Sequence, residues 1–207
     1  MSAARKPRAD GERTREAIVR GAVSLATLDG LDGLTIGNLA GALGLSKSGV
    51  YAHFGSKQEL QLATVAEAER IFQSEVIAPA QSATPGLEQI ITVCDAFFDH
   101  LVRRTFPGGC FLAGAVLEMG SRPGPVKDEV AAFQARFSGL IHEFVVTALD
   151  RHEISADEDP LALTFELNGI ILAANAHFVL YGDASALEMA RGIVRRRLGV
   201  TEPAAST

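Results

Sequence analysis

The chain has 207 residues, enough for one large domain or two small ones, and 47% of them are hydrophobic, so a sizeable core can form. Its formal net charge of −6 by itself argues against a nucleic-acid-binding protein. The charge is unevenly distributed, however: residues 1–57 carry eight Lys and Arg against five Asp and Glu, whereas residues 58–207 carry eleven against twenty. A basic N-terminal segment on an acidic body is typical of a protein that meets phosphate with only one of its parts.

Composition also indicates a cytoplasmic protein. The basic start is not followed by an apolar run, so no signal peptide is expected. The most apolar stretch, 167–181, contains two Asn and one His and is too short to span a bilayer, so no membrane span is expected. Cys94 and Cys110 lack the spacing of a metal site and indicate a reduced chain, and neither a metal nor a cofactor is expected.

The first predicted elements are a polar arm over residues 1–10 and a helix over residues 12–28. The arm contains Arg and Lys and is compatible both with a solvated tail and with an extension that contacts DNA. In the helix, apolar residues such as Ile18 and Leu25 recur on one face and arginines on the other, which predicts a helix that supports its neighbours from behind. The glycine-containing loop 29–33 ends it.

Two short helices joined by a tight turn are predicted next, between Leu34 and Lys57. Thr35 is placed to cap the first helix, because its hydroxyl can accept a free backbone N–H. Gly44 follows where a helix end favours a residue that tolerates a positive φ, and Ser46 is placed to cap the second helix. Two such helices form a helix-turn-helix, whose second helix enters the DNA major groove. An ordinary αα-hairpin with solvated polar residues is the alternative.

On the second helix, Val50 and Phe54 lie four residues apart and are predicted to face inward. That leaves five candidates for the outer face: Lys47, Ser48, Gly49, Tyr51 and His53.

This segment resembles the DNA-binding segment of the tetracycline-repressor (TetR-type) regulators over roughly residues 11–65. The shared features are a Thr at the start (Thr35), Gly-aliphatic-Ser at 44–46, a Tyr-x-His-Phe quartet at 51–54 and a Lys before the next helix (Lys57). The resemblance implies an all-α fold of about nine helices. It would comprise an N-terminal three-helix helix-turn-helix DNA-binding domain and a helical ligand-binding and dimerisation domain.

The chain departs from the family pattern at Gly37, where a helix-favouring residue is usual. A Gly costs about 1 kcal/mol relative to Ala in a helix, so a less rigid first helix is expected. Lys47 and Ser48 are the candidates for base edges or nearby phosphates, and Gly49 permits close backbone approach. Thr35, Tyr51, His53 and Lys57 are assigned to phosphates, whose contacts position the helix without reading sequence. The predicted DNA-binding set is Thr35, Ser46, Lys47, Ser48, Gly49, Tyr51, His53 and Lys57.

The rest of the chain is predicted to be helical throughout. The expected domains are an N-terminal arm and helix-turn-helix domain over 1–56, a helical effector-binding and dimerisation domain over 57–199, and a disordered tail over 200–207. A long helix follows the capping Ser56, and Pro79 is predicted to end it.

The last two helices are the predicted dimer element. The final helix carries an apolar seam, and the helix before it is apolar nearly all round. Paired with their copies they would form a four-helix bundle, and the dimer would read the two halves of a palindromic operator, about 34 Å apart. The alternative is that the seam belongs to the core of one chain. The predicted interface is Ala173, His177, Leu187, Ala190, Val194 and Leu198.

The middle helices are the predicted effector chamber, because TetR-type regulators usually bind a small molecule there and then release DNA. Many Phe side chains with few polar groups are typical of such a pocket. A core position is the alternative for each Phe, a structural hydrogen bond for each polar residue, and a buried inert thiol for Cys110 in place of a redox sensor. The candidate set is Phe97, Phe98, Cys110, Phe111, Glu118, Phe137, His142, Asn168 and Asn175.

These observations predict a homodimeric repressor that an unknown small-molecule effector releases from its operator. No enzyme is expected, because the sequence has no nucleophile elbow, P-loop or dinucleotide fingerprint. His142-Glu143 begins like a zinc-protease motif, but Val146 stands where the second His is needed. Two alternatives stay open: an effector-independent DNA-binding regulator, and a helical enzyme with a fortuitous αα-hairpin.

Overall fold

The structure, a computed structural model, describes residues 6–200 and the side chains of residues 11–200. Every regular element in this range is helical. The helices are α1 (Lys6–Asp29), α2 (Ile36–Leu43), α3 (Lys47–Phe54), α4 (Lys57–Phe72), a π-helical turn (Gln73–Ile77), α5 (Ala78–Gln81), α6 (Leu87–Val102), α7 (Phe111–Met119), α8 (Pro125–Asp150), α9 (Pro160–Tyr181) and α10 (Ser185–Arg197). Because α4, the π turn and α5 follow one another without a break, they count as one long helix and give nine in the described range, as predicted.

The N-terminal helix is longer than predicted. It begins at Lys6, six residues before the predicted start, so residues 6–10 of the predicted arm are helical backbone. Residues 1–5 of that arm and residues 201–207 of the predicted tail lie outside the described residues.

The chain falls into two compact units. One comprises residues up to Arg70 together with Phe106–Ala131, and the other comprises Ile71–Thr105 together with the residues from Ala132 onward. The first unit therefore contains α1, α2, α3, most of α4, α7 and the start of α8. The boundary differs from the one predicted at residue 56, because α7 and most of α4 fold with the N-terminal helices. A division of labour between a DNA-binding part and an effector part stays a prediction.

The core of the first unit forms where α1 supports the two short helices. Ile18 and Val23 of α1 are buried, as are Leu34 before α2, Leu39 within it and Val50 of α3. The apolar positions of each helix recur three and four residues apart, so each helix buries one stripe and leaves the other in solvent.

The core of the second unit centres on a cluster of five Phe rings. Phe72 meets the rings of Phe133 and Phe137 edge-on, with centroids 5.4 and 5.1 Å apart. Phe97 joins the same ring at 6.2 Å and Phe98 follows at 6.0 Å from Phe97. Such edge-to-face pairs are favourable because the positive edge of one ring meets the negative face of the next.

Pro79 was predicted to end the long helix, but it lies in the first turn of α5, which continues that helix. The turn before it is π-helical, and the N–H of Ala78 bonds to the carbonyl of Gln73, five residues back. The widened turn accommodates a residue that lacks an N–H and would clash with the carbonyl four residues earlier.

Among the described helices, α9 is the one whose length and apolar composition would also suit a membrane crossing. A core helix of a globular protein passes the same test. Leu163, Leu167 and Ile171 of α9 are buried within the second unit, so α9 is a core helix there.

Candidate DNA-binding surface and effector region

The start of α2 is fixed by a reciprocal pair of hydrogen bonds. Thr35 Oγ1 accepts the backbone N–H of Asn38 at 3.1 Å, and Asn38 Oδ1 accepts the N–H of Thr35 at 2.7 Å. The Asn38 amide also donates to the carbonyl of Gly33 at 2.7 Å, which ties the incoming loop to the helix. Thr35 is therefore a helix cap as predicted, and its partner Asn38 plays the part usually taken by Glu or Gln.

The turn between α2 and α3 has the geometry that the sequence predicts. Gly44 adopts a left-handed conformation with φ of 65°, and the N–H of Leu45 donates to the carbonyl of Ala40 at 2.8 Å. Ser46 then caps α3, because its Oγ accepts the N–H of Gly49 at 3.0 Å. These bonds set the start of α3 without help from distant residues.

The two faces of α3 are divided as predicted. Val50 and Phe54 are buried, and the guanidinium of Arg15 lies over the Phe54 ring at 5.1 Å, which joins α3 to α1. On the opposite side, Lys47, Ser48, Gly49 and Tyr51 are exposed and His53 is half-buried.

Two glycines of this segment have different surroundings. A Cβ on Gly49 would lie 3.1 Å from Ser46 Oγ, so a glycine leaves room for the capping hydroxyl. A Cβ on Gly37 would lie 3.4 Å from Lys47 Cε, which is an ordinary van der Waals contact. Steric constraint therefore accounts for Gly49, whereas nothing in the structure requires Gly37.

Lys57, predicted to contact phosphate, is held by Asp32. Its ammonium donates to the carbonyl oxygen of Asp32 at 2.5 Å and to the carboxylate Oδ1 at 3.1 Å. Arg122 forms an ion pair with the other oxygen of the same carboxylate. The bond from Lys57 and the one from Arg122 hold the pKa of Asp32 below its ordinary value. Neither Asp32 nor Arg122 was predicted as a functional residue, because their pairing joins positions far apart in the chain.

The predicted effector residues are divided between the two compact units. Cys110, Phe111 and Glu118 lie in the first unit, and Phe97, Phe98, Phe137, His142, Asn168 and Asn175 lie in the second.

In the first unit, Cys110, Phe111 and Glu118 line a cavity of about 100 Å³. The Glu118 carboxylate accepts the backbone N–H groups of Leu31 and Asp32, each at 2.7 Å. Burial raises the pKa of Cys110 to about 11, so its thiol stays protonated near neutral pH and lacks the reactivity of a redox sensor. Here Glu118 has the structural role that was the stated alternative.

In the second unit, Phe97, Phe98 and Phe137 belong to the buried ring cluster. The Asn168 amide donates to the carbonyl of Thr164 one turn earlier at 2.9 Å, and His142 Nδ1 lies 3.4 Å from Thr164 Oγ1. In this conformation the Phe rings pack against one another, Asn168 bonds within α9, and His142 of α8 lies against Thr164 of α9. A ligand among the Phe rings would therefore have to separate them.

A part-buried polar cluster at the π turn was also not predicted from the sequence. Glu75 Oε2 lies 2.7 Å from His100 Nδ1 and accepts the hydroxyl of Thr105 at 2.9 Å and a guanidinium N–H of Arg103 at 3.3 Å. His100 is only 1% exposed, and desolvation lowers its pKa although Glu75 opposes this. The members are up to 30 residues apart, so no local pattern could have indicated them.

Two family models match the chain. The model described as bacterial regulatory proteins, tetR family, matches residues 18–64. The model described as the tetracyclin repressor-like C-terminal domain matches residues 86–194, more than half of the chain. The chain belongs to the TetR family. Members are DNA-binding transcriptional regulators that act as dimers, so this protein is a transcriptional regulator whose N-terminal match contains the helix-turn-helix described above.

Solved structures of TetR-family regulators have the same fold. A regulator from Chloroflexus aurantiacus J-10-FL is 25% identical with a TM-score of 0.84, over 92% of this chain and 96% of that one. SCO4454 from Streptomyces coelicolor is 23% identical with a TM-score of 0.74, over 91% and 96%. AibR, solved in complex with isovaleryl coenzyme A and operator DNA, is 19% identical with a TM-score of 0.71, over 88% and 96%. No curated protein sequence matches the chain significantly.

The predicted dimer residues of this TetR-family protein separate into two groups. Ala173 and His177 on α9 are exposed, as an interface requires. The predicted residues at the end of the chain are instead buried within the protomer, because α10 turns its apolar seam toward α6 and α9. That part of the prediction was wrong, and the stated alternative of an intrachain core holds for Leu187, Ala190, Val194 and Leu198.

The opposite faces of α9 and α10 carry large apolar side chains in solvent. Phe165 is 80% exposed, the most exposed large apolar side chain among the described residues. The exposed set on these two helices is Leu161, Phe165, Val179, Leu180, Tyr181, Met189 and Ile193.

Proposed function

We propose that the protein is a homodimeric repressor that binds a palindromic operator through α3 and is released by a small molecule. DNA binding is supported by the division of α3 into a buried and an exposed side. Its buried side fixes the helix on α1, and its N-terminus is capped by Ser46 and its C-terminus by Gly55 in a left-handed conformation. The other side offers exposed polar groups on a rigid helix, which is the requirement for reading base edges in a major groove.

The exposed and half-buried polar groups of this surface have separate proposed parts in DNA binding. Lys47 and Ser48 near the N-terminus of α3 meet base edges, since the N-terminal residues of a recognition helix point into the groove. The hydroxyl of Tyr51, the ring of His53 and the ammonium of Lys57 meet phosphates, and Thr35 does so at the start of α2. Phosphate contacts fix the register, whereas Lys47 and Ser48 carry specificity.

The exposed apolar faces of α9 and α10 support a second copy of the chain as their partner. An exposed apolar strip on two adjacent helices is unusual on a monomer and is buried when the pair docks on its two-fold copy as a four-helix bundle. Ala173 and His177 belong to this face. A dimer also places two copies of α3 on one side of the duplex, which a palindromic operator requires.

The effector half is supported by the relatives. AibR has the same fold and was solved with both isovaleryl coenzyme A and operator DNA. We propose a small-molecule site among the predicted residues of the second unit, opened when the Phe rings separate. A ligand shifts the population toward the opened state only to the extent that it binds that state more tightly than the closed one. A change of the open-to-closed ratio from 1:99 to 99:1 needs a difference of about 5.5 kcal/mol in binding free energy. A cytoplasmic location and the lack of a catalytic activity belong to the same proposal.

In the test, the purified protein selects DNA fragments at two salt concentrations, and the selected fragments are sequenced. The assay is then repeated with a panel of small molecules to find one that releases the protein from DNA. Enrichment of a palindrome, reversed by one compound, is the expected result. Enrichment that no compound reverses would favour the effector-independent alternative, and no enrichment at low salt would refute the regulator.

The dimer is tested separately. Phe165→Glu should give a monomer in sedimentation and weaken operator binding, because a charge in an apolar interface is left without a partner. Leu117→Glu on α7 is the control, since Leu117 is 68% exposed and lies outside the proposed interface. If both variants stay dimeric, α9 is not the interface.

A further inference from the structure

One carboxylate in the first compact unit is shared by two cations. Asp32 lies in the loop between α1 and α2, and its Oδ1 accepts a bond from Lys57 while its Oδ2 pairs with Arg122. Lys57 is the first residue of α4, whereas Arg122 lies between α7 and α8. The side chains of Lys57 and Asp32 are 43% and 45% exposed, so solvent and DNA can reach both.

The loop that carries Asp32 is also held by hydrogen bonds that do not involve the Asp32 side chain. Glu118 of α7 accepts the N–H groups of Leu31 and Asp32. Gln61 of α4 is only 6% exposed and donates to the carbonyl of Leu31 at 2.8 Å. The loop is thereby held from two helices, and the Asp32 carboxylate stays within reach of Lys57.

The bonds from Lys57 to Asp32 oppose a contact between Lys57 and a DNA phosphate. An ammonium group has three donors, and two of the three on Lys57 are directed at oxygens of Asp32. A phosphate that approaches Lys57 must displace or share these bonds and also meets the negative charge of Asp32. An exposed ion pair is weak enough for a phosphate to break.

We propose that Asp32 competes with operator phosphate for Lys57 and thereby sets the affinity for DNA, and that Arg122 weakens this competition by drawing the carboxylate away from Lys57. The inference rests on the proposed contact between Lys57 and a phosphate. It gives the segment between α7 and α8 a direct influence on a DNA-contacting residue: where Arg122 withdraws, Asp32 is left to Lys57 and operator affinity falls.

The experiment is a titration of labelled operator DNA with the full-length protein at several salt concentrations. Asp32→Asn should tighten binding about threefold to fivefold, a range set by the modest strength of exposed ion pairs. The Asn side chain has nearly the same shape, and the backbone bonds of residue 32 are kept. Arg122→Gln should weaken binding about twofold to fivefold.

Two double mutants show whether Arg122 acts through Asp32 and whether Asp32 acts through Lys57. In the Asp32→Asn background, Arg122→Gln should have no further effect, because Arg122 then has no competitor to restrain. In the Lys57→Gln background, Asp32→Asn should bring no gain. Asp29→Asn is the matched control, since it removes an equal charge from an exposed position three residues away and should change affinity by less than twofold.

The outcomes are distinguishable. If Lys57→Gln leaves both affinity and salt dependence unchanged, the proposed phosphate contact of Lys57 fails, and the inference falls with it. If Lys57→Gln weakens binding but Asp32→Asn gains no more than Asp29→Asn, the competition is refuted while the proposed function stands. If Arg122→Gln still weakens binding in the Asp32→Asn background, Arg122 acts on DNA by itself, and its proposed role through Asp32 is overturned.

Discussion

Replacing Glu118 by Ala should destabilise the protein far more than the loss of an ordinary surface carboxylate. Its two oxygens accept the N–H groups of Leu31 and Asp32, each at 2.7 Å, in a part-buried setting. A hydrogen bond to a charged group contributes about 1.5–3 kcal/mol, and partial exposure places each bond at the lower end. The expected loss is therefore about 3 kcal/mol of unfolding free energy.

Urea unfolding and thermal melting measure this loss. For a chain of this size each kcal/mol lowers the melting temperature by about 2–4 °C, so a fall of roughly 6–12 °C is expected. Glu118→Gln should lose about half as much, because the amide keeps one acceptor oxygen. Glu143→Ala on α8 is the control, since Glu143 is exposed and its removal should stay within about 0.5 kcal/mol.

A loss of less than about 0.5 kcal/mol in Glu118→Ala would refute the reasoning, because the loop would then hold without its carboxylate. Unchanged stability together with a lost response to a small molecule would instead support the effector role that the sequence predicted for Glu118.

Three further predictions use the same unfolding assay. Gly37→Ala should stabilise the protein by about 0.5–1 kcal/mol, because its Cβ would make an ordinary contact 3.4 Å from Lys47 Cε; no gain would mean that this turn of α2 needs a glycine. Gly49→Ala should stabilise the protein less than Gly37→Ala, or destabilise it, because its Cβ would press on Ser46 Oγ at 3.1 Å and weaken a cap worth about 1 kcal/mol. A stabilisation equal to that of Gly37→Ala would contradict this. Stability should also fall as the pH drops below about 6.5. Burial holds the pKa of His100 below its ordinary value of 6.5, so the unfolded chain binds the extra proton first as the pH falls. His100→Gln should therefore flatten the dependence of the unfolding free energy on pH between pH 5 and 7. A slope identical to that of the unmutated protein would exclude His100 as the source of this dependence.

The local features of the helix-turn-helix could be predicted from the sequence. The caps at Thr35 and Ser46, the left-handed Gly44 and the inward direction of Val50 and Phe54 were all confirmed. Each depends on residues within about four positions of one another, and backbone hydrogen bonding and helical periodicity act over that distance. The assignment of these side chains to DNA stays a prediction, because it concerns a partner and not the chain's own geometry.

The tertiary structure alone decided how distant segments combine. Periodicity showed that α10 has an apolar seam, but a seam buries equally well against a neighbouring helix or a second chain, and Val194 lies inside the protomer. The pairing of Asp32 with Arg122, and that of Glu75 with His100, joins residues whose separation in sequence carries no signal. The sequence by itself determined the family, the helical content and the helix-turn-helix, because these follow from local patterns. Which side chains constrain Lys57, and which face remains for a partner, followed only from the packing of helices remote in the chain.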